Sequence, residues 1–322
     1  MKGKYLVTIQ NRQVYYKFEL ERNISIIKGD SATGKTTLID MIRSYADNGA
    51  QSGVELTCKK KCCVLEGSNW KILLDNTHDS IVFIDEGNRF IVTPEFASAI
   101  KGSDNYYVIV TRESLYNLPH SVDCIYTIRN SGKYGELKKT YNSFHRLYGE
   151  HSFQQFQDFD VDAILTEDQN SGYQFFQKIA SNNDIKCLSA KGKSNILKKL
   201  KSIQNNRVFI VADGAAFGPE MEGILDYQRF HPDQVVIFLP ESFEWLILKA
   251  DILHNNDVKE ILDDPASHIE SSEYFSWEQY FTSLLIEETR DSVMAYNKRE
   301  LASFYLQERI VSKIEDTMKS LT

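Results

Sequence analysis

The chain has 322 residues and a formal net charge of −8, with 42% apolar and 25% charged side chains. This length and composition supply about two domains of ordinary size, each with a core, and the acidic balance excludes an all-over basic coat for nucleic acid. Residues 1–150 carry 20 basic and 17 acidic side chains, and the remainder carries 17 and 28, so the acidity sits in the second half, either as solvated surface or as carboxylates for a cation. The five cysteines, Cys58, Cys62, Cys63, Cys124 and Cys187, form no paired C-x-x-C knuckles. Cys58 to Cys63 interleaves with Lys59, Lys60 and Lys61 like strand residues rather than a zinc site, and reduced thiols are the expectation. The N-terminus lacks the apolar core of a signal peptide and no apolar run is long enough to span a bilayer, so a soluble, cytoplasmic protein without a membrane partner is expected.

In chain order, residues 4–10 and 13–20 alternate like a hairpin with Asn11-Arg12 at the turn. An apolar strand (Ile24, Ile26, Ile27) then leads into Gly29-Asp30-Ser31-Ala32-Thr33-Gly34-Lys35-Thr36, followed by Thr37 and a helical pattern at Leu38, Ile39, Met41 and Ile42. Strand, glycine-containing loop and helix start together predict a phosphate cradle: successive backbone N–H groups wrap the anion at the helix N-terminus. Lys35 is expected to reach the β- and γ-phosphates and the Thr36 hydroxyl to ligate Mg²⁺. Residues 54–74 read as short strands around a Gly67-Ser68-Asn69 turn. Ser80 to Ile84 is a continuous apolar run, as in a buried parallel strand, and ends in Asp85-Glu86. This is the form of a Walker B element, in which Asp85 holds Mg²⁺ through water and Glu86 polarises an attacking water. Tyr106 to Val110 is a further strand ending in Thr111-Arg112. Thr111 is the candidate γ-phosphate sensor, on a strand expected between the other two. Arg112 is open between a phosphate or subunit contact and a surface ion pair. Cys124 to Ile128 is a strand, with a hairpin turn at Asn130-Ser131-Gly132.

Over residues 1–145 this order resembles the P-loop ATPases with an inserted central strand and a catalytic glutamate, the branch containing AAA, RecA-like and ABC proteins. The resemblance implies binding of Mg²⁺ and ATP, and no guanine-specifying N-K-x-D is present. No L-S-G-G-Q signature lies between Gly34 and Asp85, so the ABC head-to-tail dimer is not implied.

Residues 146–157 read as a linker. A second α/β pattern follows over 158–265. Val161 to Thr166 is a strand ending at Glu167, Gly172 to Ala180 a helix, and Ile185 to Leu188 a short strand. Gly192 to Ile196 leads into a helix, Arg207 to Asp213 is a strand ending at an acid, and Gln234 to Leu239 is a strand followed by Glu241 and Glu244. Acids at adjacent strand ends converge, so Glu167, Asp213 and Glu241 or Glu244 are candidate ligands of a divalent cation that activates water at a phosphodiester. Lys191, Lys193, Lys198, Lys199 and Lys201 form a basic run, read as a solvated helix face with a nucleic-acid backbone contact as the alternative.

Here the chain resembles a Toprim domain, as in topoisomerases, primases and the overcoming-lysogenization-defect nucleases. Glu167 in L-T-E-D-Q-N-S-G matches that family's first glutamate and Asp213 in V-A-D-G-A-A-F-G the first aspartate of its D-x-D, while Ala215 stands at the second. Residues 266–322 read as a helical tail broken near Asn297. The sequence thus predicts an α/β protein: a P-loop NTPase parallel-core sheet, a Toprim-like α/β domain and a helical tail. The function expected is a Mg²⁺- and ATP-dependent switch, with Lys35, Glu86, Thr111 and Glu167 as catalytic candidates, that controls a site acting on DNA or RNA. The alternatives are a sensor or scaffold with an inactive second domain that recruits a separate effector protein, and a small-molecule kinase. A homo-oligomer or an effector partner is expected.

Overall fold

The structure is a computed structural model that describes residues 1–29, 33–131, 139–148, 160–203 and 206–321. The chain divides into two compact units, residues 1–148 with 264–275 and residues 149–263 with 276–322.

In the first unit, β1 (Tyr5–Gln10) and β2 (Val14–Leu20) pair antiparallel. Their turn is held by Asn11, whose Oδ1 accepts from the amides of Gln13 at 2.8 Å and Val14 at 2.9 Å, the local bonding that makes asparagine a turn residue. β3 (Ile24–Ile27) is wholly buried. It feeds the glycine-rich loop and α1 (Lys35–Asn48), which buries Leu38, Ile39, Met41 and Ile42 on one face. β4 (Glu55–Thr57) and β5 (Lys61–Val64) follow. Residues 70–75, read from the sequence within a run of short strands, instead form the helix α2 (Trp70–Asp75). Trp70 and Leu74 lie one turn apart on its buried side, and Trp70 stacks on Phe90 at 5.0 Å. β6 (Ser80–Ile84), α3 (Pro94–Ile100) and β7 (Tyr106–Val110) come next. β8 (Ile125–Asn130) and β9 (Thr140–Arg146) complete the unit's strands. On β9, Phe144 stacks on Phe18 with ring centroids 4.0 Å apart.

The nine strands bond in the order β4-β1-β2-β9-β8-β3-β7-β6-β5, with β8, β3, β7, β6 and β5 mutually parallel. Only residues 58–60 join β4 to β5, the two ends of this order. A flat sheet would set its first and last strands roughly 38 Å apart, whereas such a connection reaches at most about 14 Å. The sheet therefore rolls around α1. The same buried cluster accordingly holds Val7 and Phe18 from one end, Cys62 and Phe83 from the other, and Leu38 and Ile42 from the helix between.

Residues 264–275, assigned from the sequence to the second domain's end and the tail, belong to the first unit. The Met1 amine bonds the Glu270 carboxylate and, at 3.2 Å, Ser271 Oγ. Gly3 donates to the Ala266 carbonyl at 2.7 Å.

The second unit is built on a four-stranded, all-parallel sheet in the order β11-β10-β12-β13. Its strands are β10 (Ala163–Thr166), β11 (Lys186–Ser189), β12 (Val208–Val211) and β13 (Val235–Phe238). The connections carry α4 (Ser171–Asn182), α5 (Ile196–Ser202) and α6 (Met221–Phe230). After β13 come α7 (Phe243–Lys249), α8 (Asn256–Asp263), α9 (Trp277–Thr289) and α10 (Glu308–Ser320). The tail is thus two helices that start at Trp277, and the interruption between them is longer than a break near Asn297 implies. Most of the linker read at 146–157 lies outside the described residues.

Replacing Phe18 by Ala removes a buried ring that packs on both Phe83 and Phe144. The expected loss is about 3–5 kcal/mol, to be read as a lower urea midpoint for the first unit.

Candidate functional site

Two sets of polar side chains gather at carboxyl ends of parallel strands, one in each unit. In the first unit, Ile27 pairs with Val110 on β7, and Ile84 of β6 pairs with Ile109. β7 thus lies between β3 and β6, as expected for the strand carrying Thr111. This register brings the glycine-rich loop, Thr111-Arg112 and Asp85-Glu86 to the same sheet edge. The loop leaves β3 with the Lys28 amide bonded to the Tyr126 carbonyl at 2.8 Å. Lys35 is buried and folds back, its Nζ 2.7 Å from the Gly29 carbonyl and 3.2 Å from Thr33 Oγ1. Its ammonium thereby ties the two ends of the loop. Asp30, Ser31 and Ala32 lie outside the described residues. Thr36 and Thr37 are exposed on the first turn of α1, whose amides are not consumed by intrahelical bonds.

Tyr16 supports this loop from β2, donating to the Gly34 carbonyl at 2.8 Å. Burial pushes its phenol up to about 12, so the hydroxyl stays a donor. Gly34 has φ +94°, and a Cβ there would sit 2.8 Å from the Tyr16 oxygen. Only glycine satisfies both conditions.

At the neighbouring strand ends, Asp85 is half-buried and desolvation raises its carboxyl above the ordinary range. Its Oδ1 accepts from the Glu86 amide at 2.8 Å. Glu86 is exposed and ion-paired with Arg112, Nε to Oε1 at 2.8 Å. Thr111 is buried, takes a hydrogen bond from the Glu113 amide at 2.9 Å and donates its own amide to Ile27 at 3.2 Å. Arg43 of α1, which the sequence did not single out, acts electrostatically on Asp85 and itself bonds Glu66 and Asp40.

In the second unit, β10 and β12 are adjacent, and their crossovers leave in opposite directions to β11 and β13. Such a switch point opens a crevice beyond the strand ends. A cavity of about 40 Å³ lies there, and Glu167, Asp213, Glu244, Ser171 and Lys298 are among the residues that line it. Glu241 lies outside that lining. Gly214 lets the chain pass tightly here: a Cβ would lie 2.7 Å from the Leu239 carbonyl, and its amide donates to Pro240 at 2.7 Å. This close approach seats Asp213 beside the start of α7, where its Oδ1 takes the Phe243 amide at 3.3 Å.

Glu244 is fully buried on the first turn of α7 and accepts from the Tyr296 hydroxyl at 2.7 Å, which also bonds Ser171. Lys298 Nζ lies 2.6 Å from Glu278 and 4.0 Å from Glu244. Burial, reinforced by the charge of Glu278, pushes Glu167 up to about 7, while Lys193 opposes the shift. Asp213 is raised well above the carboxylate range by burial and by Glu278, Glu167 and Glu244 together. Burial alone would lower Lys298, but Glu244 and Glu278 hold its ammonium charged above the usual lysine value. The result is a tight group of acids with an internal lysine counter-charge.

The structure thus brings Glu167, Asp213 and Glu244 together and adds Glu278, Tyr296, Lys298 and Ser171. Ala215, at the position of the missing acid, is buried and bonds the Glu241 carbonyl through its amide at 3.2 Å. Among the described residues, no group of three or more His, Cys, Asp or Glu side chains is arranged to hold a metal ion. From the basic run, Lys193 bonds the Ala216 carbonyl at 2.8 Å beside this site and is not part of a solvated face. In the sequence, Glu278 looks like an ordinary acid in a helix first turn. The only hint of Lys298 is the polar stretch that interrupts the tail.

No protein-family model matches the chain, and no curated protein is similar to it at a significant level.

A carboxyl whose folded value is raised contributes stability that is complete below its ordinary value and is lost as pH rises through the folded one. For Glu167 that window runs from 4.5 to about 7. The urea midpoint of the wild type is expected to fall as pH rises across this window. Glu167→Gln flattens the decline and is the more stable protein above pH 7.

Proposed function

We propose that the chain is a Mg²⁺- and ATP-dependent switch of the catalytic-glutamate P-loop class whose first unit controls a Toprim-like second unit acting on nucleic acid, in the setting of defence against phage or mobile DNA. The observation that carries this function is the shared sheet edge of the glycine-rich loop, Thr111 and Asp85-Glu86, with the sensor strand between the other two. The loop amides and Lys35 bind the phosphates. Thr36 and Asp85 would hold Mg²⁺, which when bound neutralises charge on the β- and γ-phosphates. Glu86, ion-paired with Arg112, would orient the attacking water and take its proton. Thr111, bonded through its amide to the residue that ends β3, couples the sensor position to the loop.

Lys35→Ala is expected to abolish nucleotide binding in titration calorimetry. Glu86→Gln retains binding and lowers phosphate release about 10²- to 10⁴-fold. Release of a stoichiometric phosphorylated small molecule in place of phosphate would identify a kinase instead.

A second function, a nucleotide-driven scaffold with an inactive second site, is favoured by Lys298. Its ammonium sits among the acids where a cation would be needed, and Ala215 supplies no ligand. The two functions separate by experiment. A nuclease loses its biological effect and its Mg²⁺- or Mn²⁺-dependent cleavage in Glu167→Ala, whereas a scaffold keeps the effect in Glu167→Ala, loses it in Lys35→Ala and never cleaves.

A further inference from the structure

Strand alternation gives β2, β9 and β8 two different faces. Tyr16, Phe18 and Ile128 turn into the core with α1, with Phe144 packed against them. On the other face stand Tyr15 and Lys17 from β2, Tyr141, Ser143 and His145 from β9, and Arg129 from β8. Tyr15 is directly opposite Tyr141, and Ser143 is opposite both Lys17 and Arg129. One row therefore sets two tyrosines side by side on β2 and β9, and the next carries a cation at each side. The two tyrosine rings lie 5.4 Å apart at 54°, and Tyr141 is 56% exposed. These side chains, with Asn130, Ser131 and Asn142, line a groove of about 390 Å³. Among the described residues that line it there is no carboxylate, on a chain whose net charge is −8.

Such a local reversal of charge selects a polyanion. The exposed ring of Tyr141, with the half-buried Tyr15 beside it, selects an anion that also carries flat apolar rings, because stacking on an aromatic is available to every base. Ser131 and Ser143 add hydroxyls of the kind that bond base edges. A duplex hides its base faces, whereas a single strand presents them. Two aromatic platforms and two fixed cations in separate rows exceed what one nucleotide uses. We propose that this outer face of β2, β9 and β8 binds single-stranded nucleic acid, with bases stacked on Tyr15 and Tyr141 and phosphates paired with Lys17 and Arg129. This deepens the function above by naming its nucleic-acid ligand, but the binding itself requires neither hydrolysis nor cleavage.

The test is fluorescence anisotropy of the full chain with labelled oligo-dT and oligo-U of about 20 nucleotides, longer than the usual site on a single module. It is run without divalent cation or ATP. Tyr15→Ala and Tyr141→Ala are each expected to weaken binding about 5- to 150-fold, the range for one stacked base, and Tyr141→Phe to restore it. Lys17→Glu with Arg129→Glu lowers affinity and flattens its dependence on salt. A duplex of the same length and polyglutamate compete poorly. Unchanged affinity in the tyrosine variants, or equal competition by polyglutamate, overturns the proposal. A parallel loss of ATP affinity in Tyr141→Ala also overturns it, because the face would then hold the base of the loop-bound nucleotide. Retained binding with no cleavage under any metal removes the nuclease and leaves this site standing. Retained cleavage with unaltered binding in every variant does the reverse.

Discussion

The short connection between β4 and β5 constrains everything else in the first unit. Three residues cannot bridge the width of a flat nine-stranded sheet, so the sheet closes around α1 and buries that helix on all the strands it meets. Burial on this scale fixes the helix far more firmly than its own propensity, which is modest for a sequence with two threonines in its first turn. Because α1 is fixed, its N-terminus is fixed. The first turn of the helix is therefore held at the edge where β3, β6 and β7 end, by the packing of apolar side chains on the far side of the helix.

The second unit solves a different problem. Carboxyls gathered beside one small cavity raise the cost of ionising one another, and the low-dielectric surroundings add to it. The structure answers by raising Glu167 and Asp213 above the ordinary carboxylate range, with a phenolic hydrogen bond to Glu244 and the ammonium of Lys298 between Glu244 and Glu278.

Much of this was legible in the residues. The run from Ile24 to Ile42, the apolar strand ending in Asp85-Glu86 and the placement of Thr111 could be read in order because each depends on neighbours in sequence. The strands ending in Glu167 and Asp213 were legible for the same reason. The helix at Trp70–Asp75 was not, since six residues are too few to show a period and its stability comes from Phe90 and Phe96. Residues 264–275 were misassigned because their partners, Met1 and Gly3, lie more than 260 positions away.

The sequence by itself determined the local order: which glycine-containing loop joins a strand to a helix, which strands end in acids, and which glycines the backbone requires. Local order is encoded in spacing along the chain, where residues three, four or two apart meet by geometry alone. Only the tertiary structure decided the partners. It paired Glu86 with Arg112, set Tyr16 under Gly34, and brought Glu278 and Lys298 from the tail to the acids of the second sheet. It also laid tyrosines and cations from three separate strands on one face. Such groupings depend on how strands are ordered across a sheet and how late segments fold back, and no periodicity in one segment records what another segment will place beside it.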